Sequence, residues 1–272
     1  MQYRRVGPAW FGVLAVATAG LLGACPVRAQ THPALPAASQ GAKAPLQIPA
    51  GTILSVRLDD TIAAKSAQVS QVISGHIMQD VPLSKSAKIP KRAKVMGKIV
   101  GVIRPGGGEG GSVSLRFDQI EIHHQRIALV TNLWALASVA EVREAQIPET
   151  GPDRGTPQEW ATTRQVGGDE VYGVGGPVTD RNSERVGKGV YDGVLVHVRA
   201  QPESPCRGGS GEDDRLQALW VFSSDACGVY GLAGVSIAHA GRTDPKGEIQ
   251  LKAEHGELKV SAGTGMLLRV IG

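Results

Sequence analysis

The densest mixture of aromatic and polar side chains in this chain runs from Trp220 to Gly231 and continues through His239-Ala240-Gly241-Arg242-Thr243-Asp244. A histidine with carboxylates near it is the minimum equipment for general-base hydrolysis, because imidazole exchanges a proton near neutral pH and a carboxylate orients the ring. Asp225, His239 and Asp244 are therefore the catalytic candidates, with Tyr230 and Arg242 as neighbours. Such a set would suit a secreted hydrolase acting on envelope polymers. The plainer account gives the same residues structural work: Trp220 and Phe222 in a core, Asp225 capping a turn, Arg242 paired with Asp244 at the surface. Ser, His and Asp scattered along a chain of this length are common by chance, so the plainer account carries the greater weight.

Other chemistries fare less well. Gly106-Gly107-Gly108-Glu109-Gly110-Gly111 contains the spacing of a dinucleotide-binding loop, but that loop works by presenting a phosphate to a helix N-terminus. Here Ser112 to Phe117 alternate as a strand, so the glycines read as a hairpin loop. His123 and His124 are adjacent on a strand end, where successive side chains face opposite ways. His76, His239 and His255 stand apart, and zinc sites depend on clustered ligand spacing. The sequence therefore calls for no metal and no cofactor. His197 with Ser204-Pro205-Cys206-Arg207 resembles the cysteine nucleophile motif of cell-wall L,D-transpeptidases. Pro205, however, stands where that family has the glycine of its tight turn, and His197 lies too close in sequence. A disulfide between Cys206 and Cys227 accounts for both thiols with fewer assumptions, and closing a loop of that length stabilises by up to about 3 kcal/mol.

That pairing presupposes an oxidising compartment, and the first residues point to one. Arg4 and Arg5 precede an uncharged apolar run from Ala9 to Leu22, too short to span a bilayer comfortably. Val27-Arg28-Ala29 offers a signal-peptidase site before Gln30, so residues 1–29 read as an export signal. Leu22-Gly23-Ala24-Cys25 competes as a lipobox, in which Cys25 would take a lipid and become the mature N-terminus. The expected location is the periplasm or the medium, or the outer membrane if Cys25 is lipidated. Membrane contact is then confined to the signal or the lipid anchor. The full chain has 29 Lys and Arg against 25 Asp and Glu. Arg4, Arg5 and Arg28 belong to the leader, which leaves 26 bases against 25 acids in the remaining 243 of 272 residues. Nucleic-acid binding needs a clustered basic face. The run Lys85 to Lys98 comes closest, and lysines there read better as a guard on a strand edge.

Any site must be positioned by strands. Residues 30–47, rich in Pro, Ala, Ser and Gln, read as a flexible linker. Leu54, Val56 and Leu58 alternate, as do Val95, Ile99 and Ile103 with Gly97 and Gly101 on their face, a pattern expected where sheet backbones approach closely. Val113, Leu115 and Phe117 alternate, then Ile120 and Ile122 fall out of phase, which predicts a bulge near Asp118-Gln119. Ile127 to Leu136 returns the chain. Ser138-Val139-Ala140-Glu141 is a capping box for a short helix to about Gln146, and Thr156-Pro157-Gln158-Glu159 repeats the device. Residues 173–188 read as irregular. Strand signals resume at Val190 to Val198, Leu216 to Ser223, Val235 to His239, Glu248 to Ala253, Glu257 to Val260 and Met266 to Ile271. The reading is all-β: a small β-barrel or sandwich at 48–138, a connector with short helices at 139–188, and a second β-rich unit at 189–272.

Ile48-Pro49-Ala50-Gly51-Thr52-Ile53-Leu54, followed by Ile89-Pro90 and Val95-Met96-Gly97, resembles the C-terminal barrel of TrbI-type conjugation and type IV secretion scaffolds. That resemblance implies a β-barrel fold and an exported setting. Trp220 to Asp244 resembles secreted bacterial β-rich proteins and brings no activity with it. The resulting expectation is a non-enzymatic structural or binding protein of the cell envelope, with envelope proteins or cell-wall polymer as partners and no nucleic acid. The envelope-polymer hydrolase is the alternative.

Overall fold

Leu54, Val56 and Leu58 are buried to within 1% of their surface. The strand that carries them is Ile53–Leu58 (β1), the first of twenty in a computed structural model that describes residues 47–149, 157, 160–199, 206 and 215–272. Next come β2 (Ile62–Ala63), β3 (Val72–Ile77), β4 (Val81–Pro82), β5 (Lys88–Ile89) and β6 (Lys94–Ile103). They are followed by β7 (Ser112–Ile122), β8 (Gln125–Ala128), β9 (Thr131–Ala137) and helix α1 (Val139–Glu144). A meander of short strands continues with β10 (Thr162–Arg164), β11 (Glu170–Tyr172), β12 (Pro177–Thr179), β13 (Arg185–Val190), β14 (Gly193–Val196) and β15 (Gln217–Ala218). The chain closes with β16 (Gly228–Tyr230), β17 (Val235–Ala240), β18 (Ile249–Ala253), β19 (Lys259–Val260) and β20 (Gly265–Val270). The fold is all-β, as the alternating patterns predict.

Ten strands form the main sheet, in the order β16-β9-β20-β1-β3-β6-β7-β18-β17 with β8 added on β7. Its two end strands, β16 and β17, touch. One face of each long strand meets the others in a single core of Leu54, Ile73, Val95, Leu115, Phe117, Leu251, Leu268 and their neighbours. The sheet thus curls into a barrel-like wall around an aliphatic interior. Gly97 is required by that curl: a Cβ there would sit 1.9 Å from the Arg116 carbonyl oxygen. The phase change after Phe117 is a bulge, since Gly97 opposes Phe117 while Met96 opposes Gln119, leaving Asp118 unmatched.

β10 to β15 form a second, six-stranded sheet in sequence order. Val171, Val178, Val186, Val194 and Val196 of this sheet pack with Ile53, Trp134, Ala135 and Leu267 from the outer face of the first. Val142 and Ala145 of the α1 region join them. Ser138 caps α1, its Oγ accepting the Glu141 N–H at 3.2 Å. Two buried glutamines stitch the layers together. Gln79 Nε2 donates to the Val194 carbonyl at 2.7 Å, and its Oε1 accepts from Trp220 N–H at 2.6 Å. Gln217 Oε1 accepts from Ile53 N–H at 3.1 Å. Because these amides are buried, each bond replaces water that cannot reach them.

Strand pairing crosses the boundaries expected at 138 and 188. β20 lies between β9 and β1, and β18 lies against β7, so the wall begun by residues 53–137 is completed by residues 228–270. Residues 45–272 form one compact unit. The stretch expected as a connector supplies β10 to β13, four of the six strands of the second sheet. Alternation reveals a strand but not its partner, and partners here lie as far apart in the chain as Ile53 and Arg269. The export signal, the linker up to residue 46, Cys25 and most of Thr156 to Glu159 lie outside the described residues.

Candidate functional site

The three catalytic candidates fall in two places. Asp225 lies in the loop before β16, where Ser223 Oγ donates to its Oδ1 at 2.8 Å. Beside it, Ser224 N–H donates to Oδ2 of Asp169 at 2.7 Å, and Asp169 is 1% exposed. Burial pushes the Asp169 carboxyl above its ordinary range, and the charges of Asp225 and Asp180 push it the same way. Gly167 closes the cluster. A Cβ there would lie 1.9 Å from Ser223 Oγ, and its φ of +109° lies in the region glycine favours. Arg181 donates to the Gly167 carbonyl, and Arg199 donates to Asp180 and Glu184. Tyr230 OH accepts the Cys227 N–H at 3.0 Å, and burial raises that phenol. Asp225 therefore sits in a network that fastens the end of the second sheet.

His239 lies at the end of β17, and both of its ring nitrogens meet groups of its own hairpin. Nδ1 lies between the Glu248 carbonyl and the Gly241 N–H, the latter 3.2 Å away, and Nε2 lies 2.6 Å from Thr243 Oγ1. Asp244 is exposed in the same hairpin loop. The arrangement locks the loop and offers no nitrogen to a substrate in this conformation. His123 and His124 form the β7–β8 turn with φ of 50° and 63°. Among the described residues, no group of three His, Cys, Asp or Glu side chains is placed to hold a metal ion.

Cys206 and Cys227 are joined in a disulfide, with their Cα atoms 6.0 Å apart. The Cys206 sulfur rests 3.3 Å from the Trp134 carbonyl, so the bridge lies against β9.

A cavity of about 490 Å³ lies elsewhere, in a groove beside α1. Gln146 and Pro148 form one wall, Thr163 and Val171 of the second sheet another, and Trp220 is part of its lining. Lys91 Nζ and Asp192 Oδ1, both lining residues, pair at 2.7 Å. Two of these residues depart from ordinary backbone geometry: Trp220 has φ 54° and Asp192 φ 66°. For a bulky side chain the left-handed region costs about 1–3 kcal/mol, and such strain persists only where the surroundings enforce it. Gln79 supplies that enforcement for Trp220 by accepting its N–H. Gly193 sits beside it, where a Cβ would fall 2.2 Å from Gln79 Oε1 and 2.7 Å from the Trp220 Cα.

Sequence reasoning identified Trp220 as core, and at 4% exposure it is buried. It missed that the same residue lines a groove, because the other walls come from Met78, Gln146 and Thr163, distant in the chain.

No protein-family model matches this chain, and no curated protein matches it.

Proposed function

We propose that this chain is an exported, non-enzymatic binding protein of the bacterial cell envelope, which holds a segment of an envelope partner, protein or cell-wall polymer, in the groove beside α1. The observation that carries the reading is Trp220, fixed in left-handed backbone geometry by Gln79 at a groove of about 490 Å³. Strain maintained at a concave surface is a recurring mark of binding sites. The leader with Arg4, Arg5 and the apolar run supports export, and the Cys206–Cys227 disulfide fits an oxidising compartment. The likeness of Ile48 to Leu54 and Val95 to Gly97 to TrbI-type scaffold barrels supports a structural role beside other envelope proteins. The hydrolase alternative would require His239 to leave the bonds that hold its hairpin.

Fractionation with mass spectrometry of the mature N-terminus tests export. A periplasmic product beginning at Gln30, or at a lipidated Cys25, is the expected result, and a cytoplasmic chain beginning at Met1 would refute it. Cosedimentation with isolated cell-wall sacculi and with envelope protein extract tests the groove. Gln146, exposed at its edge, becomes Trp to fill the opening, and binding should fall by about tenfold while the melting temperature holds. Retained binding by Gln146→Trp would remove the groove from the account.

A further inference from the structure

Aromatic side chains are scarce in this chain, at 4% of its residues, and the exposed ones are not scattered. Trp134, Trp220, Phe117 and Phe222 are buried, whereas Trp160, Tyr172 and Tyr191 stand 76%, 45% and 63% exposed. All three belong to one end of the second sheet, where β10 and β14 begin and β11 and β13 end. The groove lies at that end, with Ala161, Gly173, Val190 and Gly193 in its lining. We propose, resting on the groove as the binding site, that it takes a neutral glycan chain bearing acetamido groups, which passes over the rim onto Trp160 and Tyr172.

Strand pairing brings two of the rings together. Thr162 on β10 and Tyr172 on β11 are direct cross-strand partners, so their side chains share one face. The pairing runs one residue further, because Gly173 N–H donates to the Ala161 carbonyl at 3.1 Å. Trp160 follows, diagonally across from Tyr172, a separation that aromatic rings can bridge. Ala161 and Thr163 alternate to the other face and line the groove, so lining and platform meet along the β10 edge. Tyr172 OH donates to Glu170 Oε2 at 2.7 Å, which holds its ring in place. Tyr191 adds a third ring at the β13–β14 turn, between the lining residues Val190 and Asp192.

Neutrality follows from the charges. Lys91 and Asp192 are the charged residues of the lining, and they cancel each other as a pair at 2.7 Å. Neither an acidic polymer nor a basic segment gains a counterion there. Gln146, exposed at the edge, and Thr163 offer an amide and a hydroxyl. A pyranose ring has an apolar C–H face that lies flat on an indole or phenol, and a belt of hydroxyls that such groups can bond. An acetamido substituent adds a planar amide for Gln146 and a methyl for the apolar lining of Met78, Val171 and Val190.

A protein partner would ask for other features. A folded one needs about 800 Å² of surface on each side, whereas a groove of about 490 Å³ with two rings beyond it is a narrow track. An extended peptide shares that width but adds itself to a free strand edge through its backbone. The β10 edge is already engaged, since Glu149 N–H donates to the Thr162 carbonyl at 2.8 Å.

Isothermal titration of the purified chain uses chitotetraose as the acetamido glycan, cellotetraose as a similar chain without acetamido groups, and tetra-alanine as the extended peptide. Chitotetraose should bind about tenfold or more tightly than either. Trp160→Ala, at an exposed site, should weaken it about tenfold with the melting temperature unchanged, and Gln146→Trp should block it. Acrylamide quenching of tryptophan fluorescence gives a separate reading: bound chitotetraose should shield the exposed Trp160, and Trp160→Phe should keep the binding but lose that shielding. If chitotetraose binds no more tightly than cellotetraose or tetra-alanine, or if Trp160→Ala binds as the wild type does, the proposal is overturned. In that event, sacculi or envelope extract bound by the wild type and lost with Gln146→Trp would leave the groove as the binding site and strike only the glycan.

Discussion

The barrel-like wall and the six-stranded sheet packed on it solve the same problem with different materials. The wall uses strands of up to 11 residues and an interior of Leu, Ile, Val and one Phe, with Ile73, Val95, Ile99 and Leu115 at 0% exposure. The second sheet uses strands of two to six residues, and its inward apolar side chains are mostly valines. It gains its fixity from polar devices: Gln79, Gln217, the disulfide and the Asp169 network. Non-directional apolar burial suits a scaffold, whereas directional bonds hold particular atoms in place, and the groove is built where those bonds are.

Phe117→Ala should separate the two regions most sharply. Phe117 is 1% exposed in the wall core, and its truncation should cost about 3–5 kcal/mol and lower the melting temperature of the whole unit. A loss under about 1 kcal/mol would show a wall less tightly packed than described. Cys206→Ser with Cys227→Ser should come next, at about 3 kcal/mol for a closed loop spanning 21 positions. Denaturant unfolding under reducing and oxidising conditions checks it, and only the wild type should respond to the reductant. Gln79→Leu, which leaves the Trp220 and Val194 N–H groups unpaired, should cost about 2–3 kcal/mol and loosen the groove while the wall keeps its protection from exchange.

The smallest effects are electrostatic and have opposite signs in the two regions. Asp169 of the second sheet has its folded pKa raised, so the folded state holds the proton more tightly than the unfolded one. Stability from this group falls as pH rises from the ordinary aspartate value to the raised one, and Asp169→Asn should remove that fall. Asp80, on the segment between β3 and β4, is held below its ordinary value by its hydrogen bond to Lys88 and by the Lys91 N–H. Its contribution is present above the ordinary value and fades as pH drops through the lowered one. Asp80 is half exposed, so solvent screens the effect and Asp80→Asn should change it only slightly. Urea titrations across the carboxylate range compare the two variants directly.

The same contrast decides what the sequence made legible. Period-two alternation in Leu54 to Leu58 and Val113 to Phe117 could be read because each run is long enough to show its phase, and the slip at Asp118 could be read as a bulge. Ser138 announced α1, and an even pair of cysteines announced the bridge. The strands between Thr162 and Val190 could not be read. Runs of three residues punctuated by Gly167, Gly173, Gly175 and Gly187 have no measurable period. The groove was not legible, since it gathers residues whose only link is strand pairing across the chain. Asp225 and His239 attracted attention by type, and type alone does not say whether a side chain faces a substrate or its own loop.

Amide hydrogen exchange on the mature protein, with and without isolated cell-wall sacculi and envelope extract, reads both regions at once. Added partner should slow exchange at residues 161–173, 190–193 and 220–221 around the groove while β1, β3, β6 and β7 exchange as before. New protection spread over the wall strands, or none anywhere under saturating partner, would contradict the division into a packed scaffold and a sheet that binds.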